Sequence, residues 1–234
     1  PGNGKLYAIG GSTPADLATV EEYDPVVNTW VARTAMPTAR HALGVGAPGN
    51  GRLYAIGGVD SVTPFATVEE FDPAANTWAT KVAMSTARYG LGVGALGNGK
   101  LYAVGGGNTL PSANALTTNE EYDPGWGGNT WTTKAAKPSS VFGPAASVNG
   151  KVYVIGGADP PSSENREYDP VTNTWATKAS MPSARYAHAL GVARGKCYAV
   201  GGYDNAGGWY AMNEEYDPVS NTWATKAAMP TARG

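Results

Sequence analysis

One eight-residue stretch constrains the fold of this chain more than any other feature, because it occurs five times. It reads GKLYAIGG at positions 4–11 and returns as GRLYAIGG, GKLYAVGG, GKVYVIGG and GKCYAVGG. An acidic-aromatic segment of the EEYDP type follows each copy, and NTW follows that segment. The resulting tryptophans, at positions 30, 78, 131, 175 and 223, are 44 to 53 residues apart. A regular period of this length predicts an array of similar structural units.

Each unit consists of four short predicted strands separated by turns rich in Gly, Pro and Asn. The four strand types are HALGVGA, LYAIGG, TVEEYD and TWVART. Short strands between such turns predict an all-β fold. The second strand is almost continuously apolar, as expected where both faces of its sheet are covered. Four-stranded sheets packed radially around one axis meet this requirement.

The order of these elements resembles the kelch repeat. A glycine pair after an aromatic-apolar strand, then Tyr-Asp-Pro, then Trp, returns with a period near 48 residues over the whole chain. The resemblance implies an all-β fold, a kelch-type β-propeller with five blades of mostly four antiparallel strands. We expect a single domain over residues 1–234, with repeats at approximately 1–40, 41–88, 89–140, 141–185 and 186–234.

The first repeat lacks its first strand. The sequence begins at PGNGKLY, which matches the middle of ALGVGAPGNGRLY, and it ends at MPTARG, where another first strand is expected. We expect a ring with one three-stranded blade, and a slice of a larger array is the alternative. The unpaired edge of such a blade favours self-association with another chain.

Composition limits the classes of function. Only 15% of the residues are charged, and a net charge of −2 creates no field that attracts nucleic acid or an anionic membrane. Scarce charge with abundant Gly, Thr and Asn favours an extracellular, secreted protein of bacterial type, and a cytoplasmic location stays open. The single cysteine, Cys197, excludes an internal disulfide and stands where other copies have Leu or Val, so we interpret it as a core residue.

Two kinds of charged residue recur in the repeat. Glutamates precede the aromatic residue at positions 22, 70, 121, 167 and 215, and arginines follow the fourth strand at positions 40, 88, 185 and 233. Carboxylates can serve acid–base catalysis, but a catalytic site occurs once, whereas these residues recur in nearly every copy. We therefore interpret them as structural Arg–Glu pairs. The third repeat lacks its arginine, so Glu121 is expected to have another partner.

Small polar residues follow the glycine pairs at equivalent positions: Thr13, Asp60, Asn108, Asp159 and Asp204. The second strands of a propeller end on one face, so these residues are expected around the mouth of the central channel. They could bind a cation or sugar hydroxyls, or they could shape the turn, which is the favoured interpretation. The two histidines, His41 and His188, do not supply the three or four ligands of a metal site. We predict no metal and no cofactor, and we interpret both histidines as surface or rim residues.

The loops between the second and third strands differ most among the copies, so discrimination between ligands is expected there. In kelch propellers this loop shares a face with the loop before the first strand, and that face commonly binds partners. Aromatic residues expected on this face are Phe65, Tyr89, Phe142, Tyr186, Tyr203, Trp209 and Tyr210, whereas Trp126 is expected on the opposite face. Exposed aromatic rings suit stacking on sugars or anchoring a peptide. The candidate ligand-binding residues are Asp60, Asn108, Asp159, Asp204, Tyr203, Trp209, Tyr210, His41, Tyr89 and Tyr186.

These features favour a non-catalytic binding or scaffold propeller that engages a peptide or a glycan through its loop face. One alternative is a structural spacer within a larger extracellular protein. The other is a sugar-modifying kelch enzyme. The copper oxidase type of kelch enzyme uses a tyrosine joined to a cysteine and two histidine ligands, and the core position of Cys197 disfavours it.

Overall fold

The computed structural model describes residues 2–110, 114–125, 129–140, 142–158, 160–204, 206 and 208–233. Asp159 and Trp126, both named in the sequence analysis, lie outside these residues. The described residues form strands and turns without a helix. None of them belongs to a helix long and apolar enough to cross a membrane.

The strands group into five antiparallel sheets, which we number as blades 1 to 5 in chain order. Blade 1 has three strands, β1 (Leu6–Ile9), β4 (Val20–Asp24) and β5 (Thr29–Arg33), and a separate hairpin of β2 (Ser12–Thr13) and β3 (Ala15–Asp16) connects β1 to β4. Blade 2 contains β6 (Gly44–Gly46), β7 (Leu53–Ile56), β8 (Val68–Asp72) and β9 (Thr77–Lys81).

The other three blades repeat the order of blade 2. Blade 3 contains β10 (Gly92–Ala95), β11 (Leu101–Val104), β12 (Asn119–Asp123) and β13 (Thr130–Thr133). Blade 4 contains β14 (Ala145–Val148), β15 (Lys151–Gly157), β16 (Ser162–Asp169) and β17 (Thr174–Thr177). Blade 5 contains β18 (Ala189–Ala193), β19 (Lys196–Val200), β20 (Asn213–Asp217) and β21 (Thr222–Lys226). This arrangement confirms the predicted propeller of five mostly four-stranded blades.

The turn between the third and fourth strands is built by the repeated sequence. In blade 4, Asp169 Oδ1 accepts a hydrogen bond from the Val171 amide at 2.8 Å, which closes the turn after the proline position. Asn173 ends the turn with a φ of 55°, a left-handed conformation that asparagine tolerates better than most residues. Its side chain also accepts a hydrogen bond from the Tyr168 hydroxyl at 2.7 Å.

The same asparagine and the tryptophan after it join each blade to the one before it. Asn173 Oδ1 accepts a hydrogen bond from the Ala135 amide of blade 3 at 2.9 Å, and Trp175 Nε1 donates to the Ala135 carbonyl at 2.8 Å. The ring of Trp175 also packs on Tyr168 of its own blade, with 5.1 Å between centroids. Equivalent tryptophan bonds connect blades 1 and 2, 2 and 3, and 4 and 5.

Glycines in the first strands let neighbouring blades approach closely. A Cβ atom on Gly46 would lie 2.4 Å from Leu101 Cδ2 of blade 3, and one on Gly94 would lie 2.8 Å from Val152 Cγ1 of blade 4. Neither distance leaves room for a side chain. The hydrophobic core is therefore divided into four clusters, and each cluster lies between two consecutive blades.

The outer sides of blades 1 and 5 are free flanks. Leu6 of blade 1 is 61% exposed, whereas its counterpart Leu53 in blade 2 is 5% exposed. On blade 5, a Cβ atom on Gly191 would meet nothing within 4 Å, unlike one on the equivalent Gly46. The structure shows no hydrogen bond, ion pair or ring contact between the described residues of blades 1 and 5. The expectation that every sheet is covered on both faces therefore holds for blades 2 to 4 only.

Candidate binding face at the mouth of the channel

Residues that precede the first strands meet residues that follow the glycine pairs. His41 forms a β-bridge with Val59, Tyr89 with Gly107, Phe142 with Ala158 and Tyr186 with Tyr203. These bridges extend the inner strands of blades 2 to 5 beyond the glycine pairs. They place the two kinds of loop side by side on one face, which is called the loop face below.

A cavity of about 390 Å³ lies among the inner segments of four blades on this face. Its lining is mostly apolar and consists of Ala42, Leu43, Gly90, Leu91, Phe142, Gly143, Pro144, Ala158, Tyr186, Ala187 and His188. The residues come from blades 2, 3, 4 and 5, so the cavity opens where the inner strands converge. Its shape and lining suit an apolar or aromatic group of a ligand.

His188 is the only ionisable residue of this lining with a strongly buried side chain. It stands where blades 2 and 3 have Leu43 and Leu91, and it is a core residue, so its interpretation as a surface or rim histidine was wrong. Burial lowers its pKa to about 4, the positive charge of Arg185 adds to the decrease, and the backbone of Ile155 opposes it. His188 is therefore neutral at physiological pH.

Two groups of aromatic side chains meet the cavity through Phe142 and Tyr186, which line it. Tyr89 and Phe142 lie 5.7 Å apart between ring centroids, at the junction of blades 3 and 4. Tyr203 packs between Tyr186 at 5.5 Å and Trp209 at 5.1 Å in blade 5. Trp209 is 56% exposed, so it presents a large apolar surface to solvent at the rim.

The carboxylates predicted around the channel mouth are engaged by their own loops. Asp60 Oδ1 accepts hydrogen bonds from the amides of Val62 at 2.8 Å and Thr63 at 2.6 Å. Asp204 Oδ2 accepts one from the Tyr210 hydroxyl at 2.5 Å, which lowers the pKa of Asp204 and raises that of Tyr210. These contacts support the interpretation of both aspartates as turn-shaping residues.

Asn108 differs from the two aspartates because its buried Oδ1 has no hydrogen-bond partner among the described residues. In the part of the chain that the structure describes, no three His, Cys, Asp or Glu side chains are grouped to hold a metal ion. The predicted acidic ring thus consists, where described, of separate turn residues.

His41 is held by a residue that sequence reasoning missed. Asp16, at the end of the hairpin in blade 1, lies 2.5 Å from His41 Nδ1 and accepts a hydrogen bond from the Ser61 amide at 3.0 Å. The contact with His41 lowers the pKa of Asp16. Asp16 lies in the variable loop of the first repeat, and His41 begins the second repeat. An acidic residue in this loop and a histidine at the start of the next repeat were the only sequence signal for the contact.

Comparison with known families agrees with this architecture. The family model described as "Kelch motif" matches residues 2–37, 46–85, 142–182 and 184–230, which together make up more than half of the chain. The chain belongs to the kelch-repeat family. No curated protein matches it at a significant level. The kelch match does not include blade 3, although the strands of that blade have the same order as those of the others.

Buried Arg–Glu pairs stabilise this kelch propeller, but the glutamate differs from the predicted one. Arg40 Nη1 donates to Glu69 at 2.6 Å, and Arg88 Nη2 donates to Glu120 at 2.6 Å, with all four side chains buried. The second glutamate of the motif points to the other sheet face, where Glu70 accepts a hydrogen bond from the Tyr54 hydroxyl. The predicted pairing of the arginines with this second glutamate was therefore wrong.

The side chain of each arginine lies in the blade that follows its own repeat, as Arg40 of the first repeat pairs with Glu69 of blade 2. The arginine that the third repeat lacks would therefore have entered blade 4. Glu121 of blade 3 accepts hydrogen bonds from Lys100 at 2.8 Å and Tyr102 at 2.5 Å. At the end of the third repeat, beside blade 4, a lysine replaces the methionine that the other repeats have at this position. Lys137 is 1% exposed and donates to Ser139 Oγ at 3.0 Å. Burial lowers its pKa to about 8.

The positions equivalent to the buried Arg–Glu pairs are occupied by Arg233 and Glu21 at the two free flanks, and both side chains are exposed.

Cys197 is buried between blades 4 and 5, and burial raises its thiol pKa to about 12. This confirms its interpretation as a core residue, because a reactive cysteine needs an accessible thiolate.

Proposed function

We propose that this kelch propeller is a non-catalytic binding module that engages an extended peptide through its loop face. An apolar side chain of the peptide enters the cavity beside Phe142, and the exposed Trp209 contacts a flanking residue. The observation that carries this proposal is the apolar lining contributed by four blades at one point on the face.

The cavity and its rim contribute to binding in different ways. An apolar group that enters the cavity leaves water without meeting an unpaired charge, since His188 is neutral. Exposed tryptophan is the residue type that most often dominates peptide binding, because one rigid ring removes a large area from water. Trp209 provides this surface, and its contact with Tyr203 restricts its orientation before binding.

A peptide is favoured over a glycan because of how the polar groups are used. Recognition of sugar hydroxyls favours several carboxylate or amide groups with free hydrogen-bonding capacity. Asp60 Oδ1 already accepts bonds from two loop amides, and Asp204 accepts bonds from loop amides and from Tyr210. Asn108 Oδ1 is the amide oxygen at this position that has no partner among the described residues. The cavity is mostly apolar, and the ring nitrogens of His188 are among the few polar groups that it offers to a sugar ring.

Selection of a random peptide library against the protein tests the proposal, followed by fluorescence anisotropy of the selected peptides. We expect ligands with a conserved apolar anchor, and we expect Phe142→Ala and Trp209→Ala each to weaken binding roughly tenfold or more. Phe65→Ala is the matched control, because Phe65 lies in a loop of the same face but does not line the cavity. Binding to a glycan array without selected peptides, or unchanged affinity in Phe142→Ala, would contradict the proposal.

A further inference from the structure

His188 supplies two polar atoms to the lining of the loop-face cavity. The residue is 5% exposed, and neither ring nitrogen has a hydrogen-bond partner among the described residues. Buried polar side-chain atoms of folded proteins nearly always have a partner. Two unpartnered nitrogens in the wall of a cavity therefore indicate that the cavity receives a polar group.

The scaffold itself does not require a histidine at this position, since blades 2 and 3 have leucine there. In blade 3, Leu91 packs against the first glycine of a pair, and a Cβ atom on Gly57 would lie 3.1 Å from Leu91 Cδ2. His188 fills the equivalent space in blade 5, where a Cβ atom on Gly156 would lie 2.7 Å from His188 Cε1. A leucine fills this space without burying unpaired nitrogens, so the imidazole is better explained by what it binds.

Other buried side-chain atoms also lack a partner among the described residues, but several of them recur in the repeat. The Nε atoms of Arg40, Arg88 and Arg185 are unpartnered at one equivalent position, which makes this feature a property of the scaffold. His188 occurs in one blade only. A group that occurs once, in the wall of a cavity, is what a specific ligand requires.

The protonation state of His188 determines which polar group fits. Burial and the charge of Arg185 lower its pKa to about 4, so the ring is neutral, with one N–H donor and one nitrogen that carries a lone pair. The backbone of Ile155 lies near enough to affect this pKa. A backbone carbonyl can only accept a hydrogen bond, so it leaves the lone pair of the other nitrogen unused. The lone pair requires an O–H or N–H donor from the ligand.

The rest of the lining favours an aromatic ring as the carrier of this donor. Leu43 and Leu91 supply aliphatic surface, and Phe142 and Tyr186 supply rings on which another ring can pack. A volume of about 390 Å³ suits a single ring. No Asp, Glu, Lys or Arg is among the described residues of the lining, so a charged ligand group would be buried without a counter-charge.

We propose that the loop-face cavity recognises a phenol ring, whose hydroxyl donates a hydrogen bond to His188. A hydroxyl can both donate and accept, so it suits either neutral form of the imidazole, whereas an indole N–H can only donate. This inference rests on the proposed function, because it specifies tyrosine as the anchor side chain of the bound peptide. A free phenolic compound is the other source of the same chemistry, and separate experiments distinguish the two.

The small molecules p-cresol, toluene and p-methylanisole serve as probes that share one ring and differ in its polar group. NMR titration of the isotope-labelled protein measures each affinity, and the ring nitrogens of His188 report the contact. We expect p-cresol to bind about tenfold more tightly than toluene, which has no polar group, and than p-methylanisole, which cannot donate. The unprotonated nitrogen of His188 should shift upfield with p-cresol and not with the other two probes.

Two protein variants show whether His188 causes this preference. His188→Leu introduces the residue of blades 2 and 3, and in this variant toluene is expected to bind at least as tightly as p-cresol. Retained binding of toluene also shows that the cavity is intact in the variant. Phe65→Ala is the control, because Phe65 lies in a loop of the same face without lining the cavity, and the preference for p-cresol should persist.

Peptides test the second source of the phenol ring. In each peptide selected against the protein, the anchor residue is replaced in turn by tyrosine, phenylalanine and O-methyltyrosine, and fluorescence anisotropy measures the affinity. We expect tyrosine to bind about tenfold more tightly than the other two, and we expect this difference to vanish in His188→Leu.

The inference is overturned if neither p-cresol nor a tyrosine anchor is preferred over the ring without a hydroxyl, or if the preference persists in His188→Leu. Selected peptides with leucine or phenylalanine anchors that tyrosine does not improve would refute the inference and leave the proposed function intact. Preferential binding of p-cresol, without any peptide from the library, would contradict the proposed function and support a site for free phenols.

Discussion

Arg40 and Glu69 form an ion pair inside blade 2 at 2.6 Å, and both side chains are buried. Arg40 crosses from the end of one repeat into the sheet of the next, where it also donates to the Ala55 carbonyl at 3.2 Å. The pair therefore connects consecutive repeats through a side chain and does not depend on strand pairing.

Removal of one partner of this pair is expected to destabilise the protein strongly. Arg40→Met leaves the Glu69 carboxylate buried without its counter-charge, and we expect a loss of about 3–5 kcal/mol in the free energy of unfolding. The double variant Arg40→Met, Glu69→Leu should lose less, since it leaves no unpaired charge. Urea denaturation measures both, and Arg52→Met is the control because the Arg52–Asp72 pair is partly exposed. Equal losses for Arg40→Met and Arg52→Met would contradict the prediction.

Blades 1 and 4 provide a matched comparison for the asparagine bond between blades. Asn173 and Asn28 both accept a hydrogen bond from a tyrosine of their own turn, but only Asn173 also accepts one from the preceding blade. Glycine keeps the left-handed turn conformation without strain. Asn173→Gly is therefore expected to cost about 1 kcal/mol more than Asn28→Gly in urea denaturation. Similar costs for the two variants would show that the interblade bond contributes little.

Lys137 replaces the methionine that the other repeats have at this position, and its burial disfavours the charged form. Its pKa falls from 10.5 to about 8 in the folded state, so the folded protein resists protonation of this lysine. Stability should therefore rise between pH 8 and 10.5, where the unfolded chain binds more protons. Lys137→Met restores the residue of the other blades, and at pH 7 we expect a gain on the order of 2 kcal/mol. Denaturation at pH 7 and 10 measures both effects. Lys134→Met is the control, and a gain equal to that of Lys137→Met would refute the assignment.

His188 predicts a pH dependence on the acid side. Its pKa is about 4 in the folded protein against 6.5 for an unperturbed histidine, so the unfolded chain binds its proton first as the pH falls. The contribution to stability is complete above pH 6.5 and decreases progressively towards pH 4, by roughly 3 kcal/mol in total. His188→Leu, which introduces the residue of blades 2 and 3, should flatten this part of the stability profile. An unchanged profile in that variant would assign the pH dependence to carboxylates instead.

The repeat predicted the blades because local sequence features specify each blade. These features are the apolar strand before the glycine pair, the turn at Asp-Pro and the tryptophan that follows it. It did not predict which glutamate meets the arginine, because Glu69 and Glu70 are adjacent in sequence and lie on opposite faces of one strand. His188 could have been placed by aligning it with Leu43 and Leu91. The free flanks could not be predicted in this way, because the packing of whole sheets, and not one residue, decides whether blades 1 and 5 meet.

The glycine of the first strand distinguishes a covered flank from a free one. Gly46 and Gly191 occupy equivalent positions opposite Tyr54 and Tyr198. A side chain at Gly46 would collide with Leu101, whereas a Cβ atom at Gly191 meets nothing within 4 Å. Neither residue has a left-handed backbone, so only the neighbouring blade opposes a larger residue.

We therefore expect Gly46→Val to lower the free energy of unfolding by about 1–3 kcal/mol or more, because the overpacked interface must shift. Gly191→Val should change it by less than about 0.5 kcal/mol, or increase it slightly, because valine favours an extended strand. Urea denaturation of the two variants measures the difference. If Gly191→Val were as destabilising as Gly46→Val, the outer side of blade 5 would be covered in solution. Blades 1 and 5 would then have to meet in a closed ring.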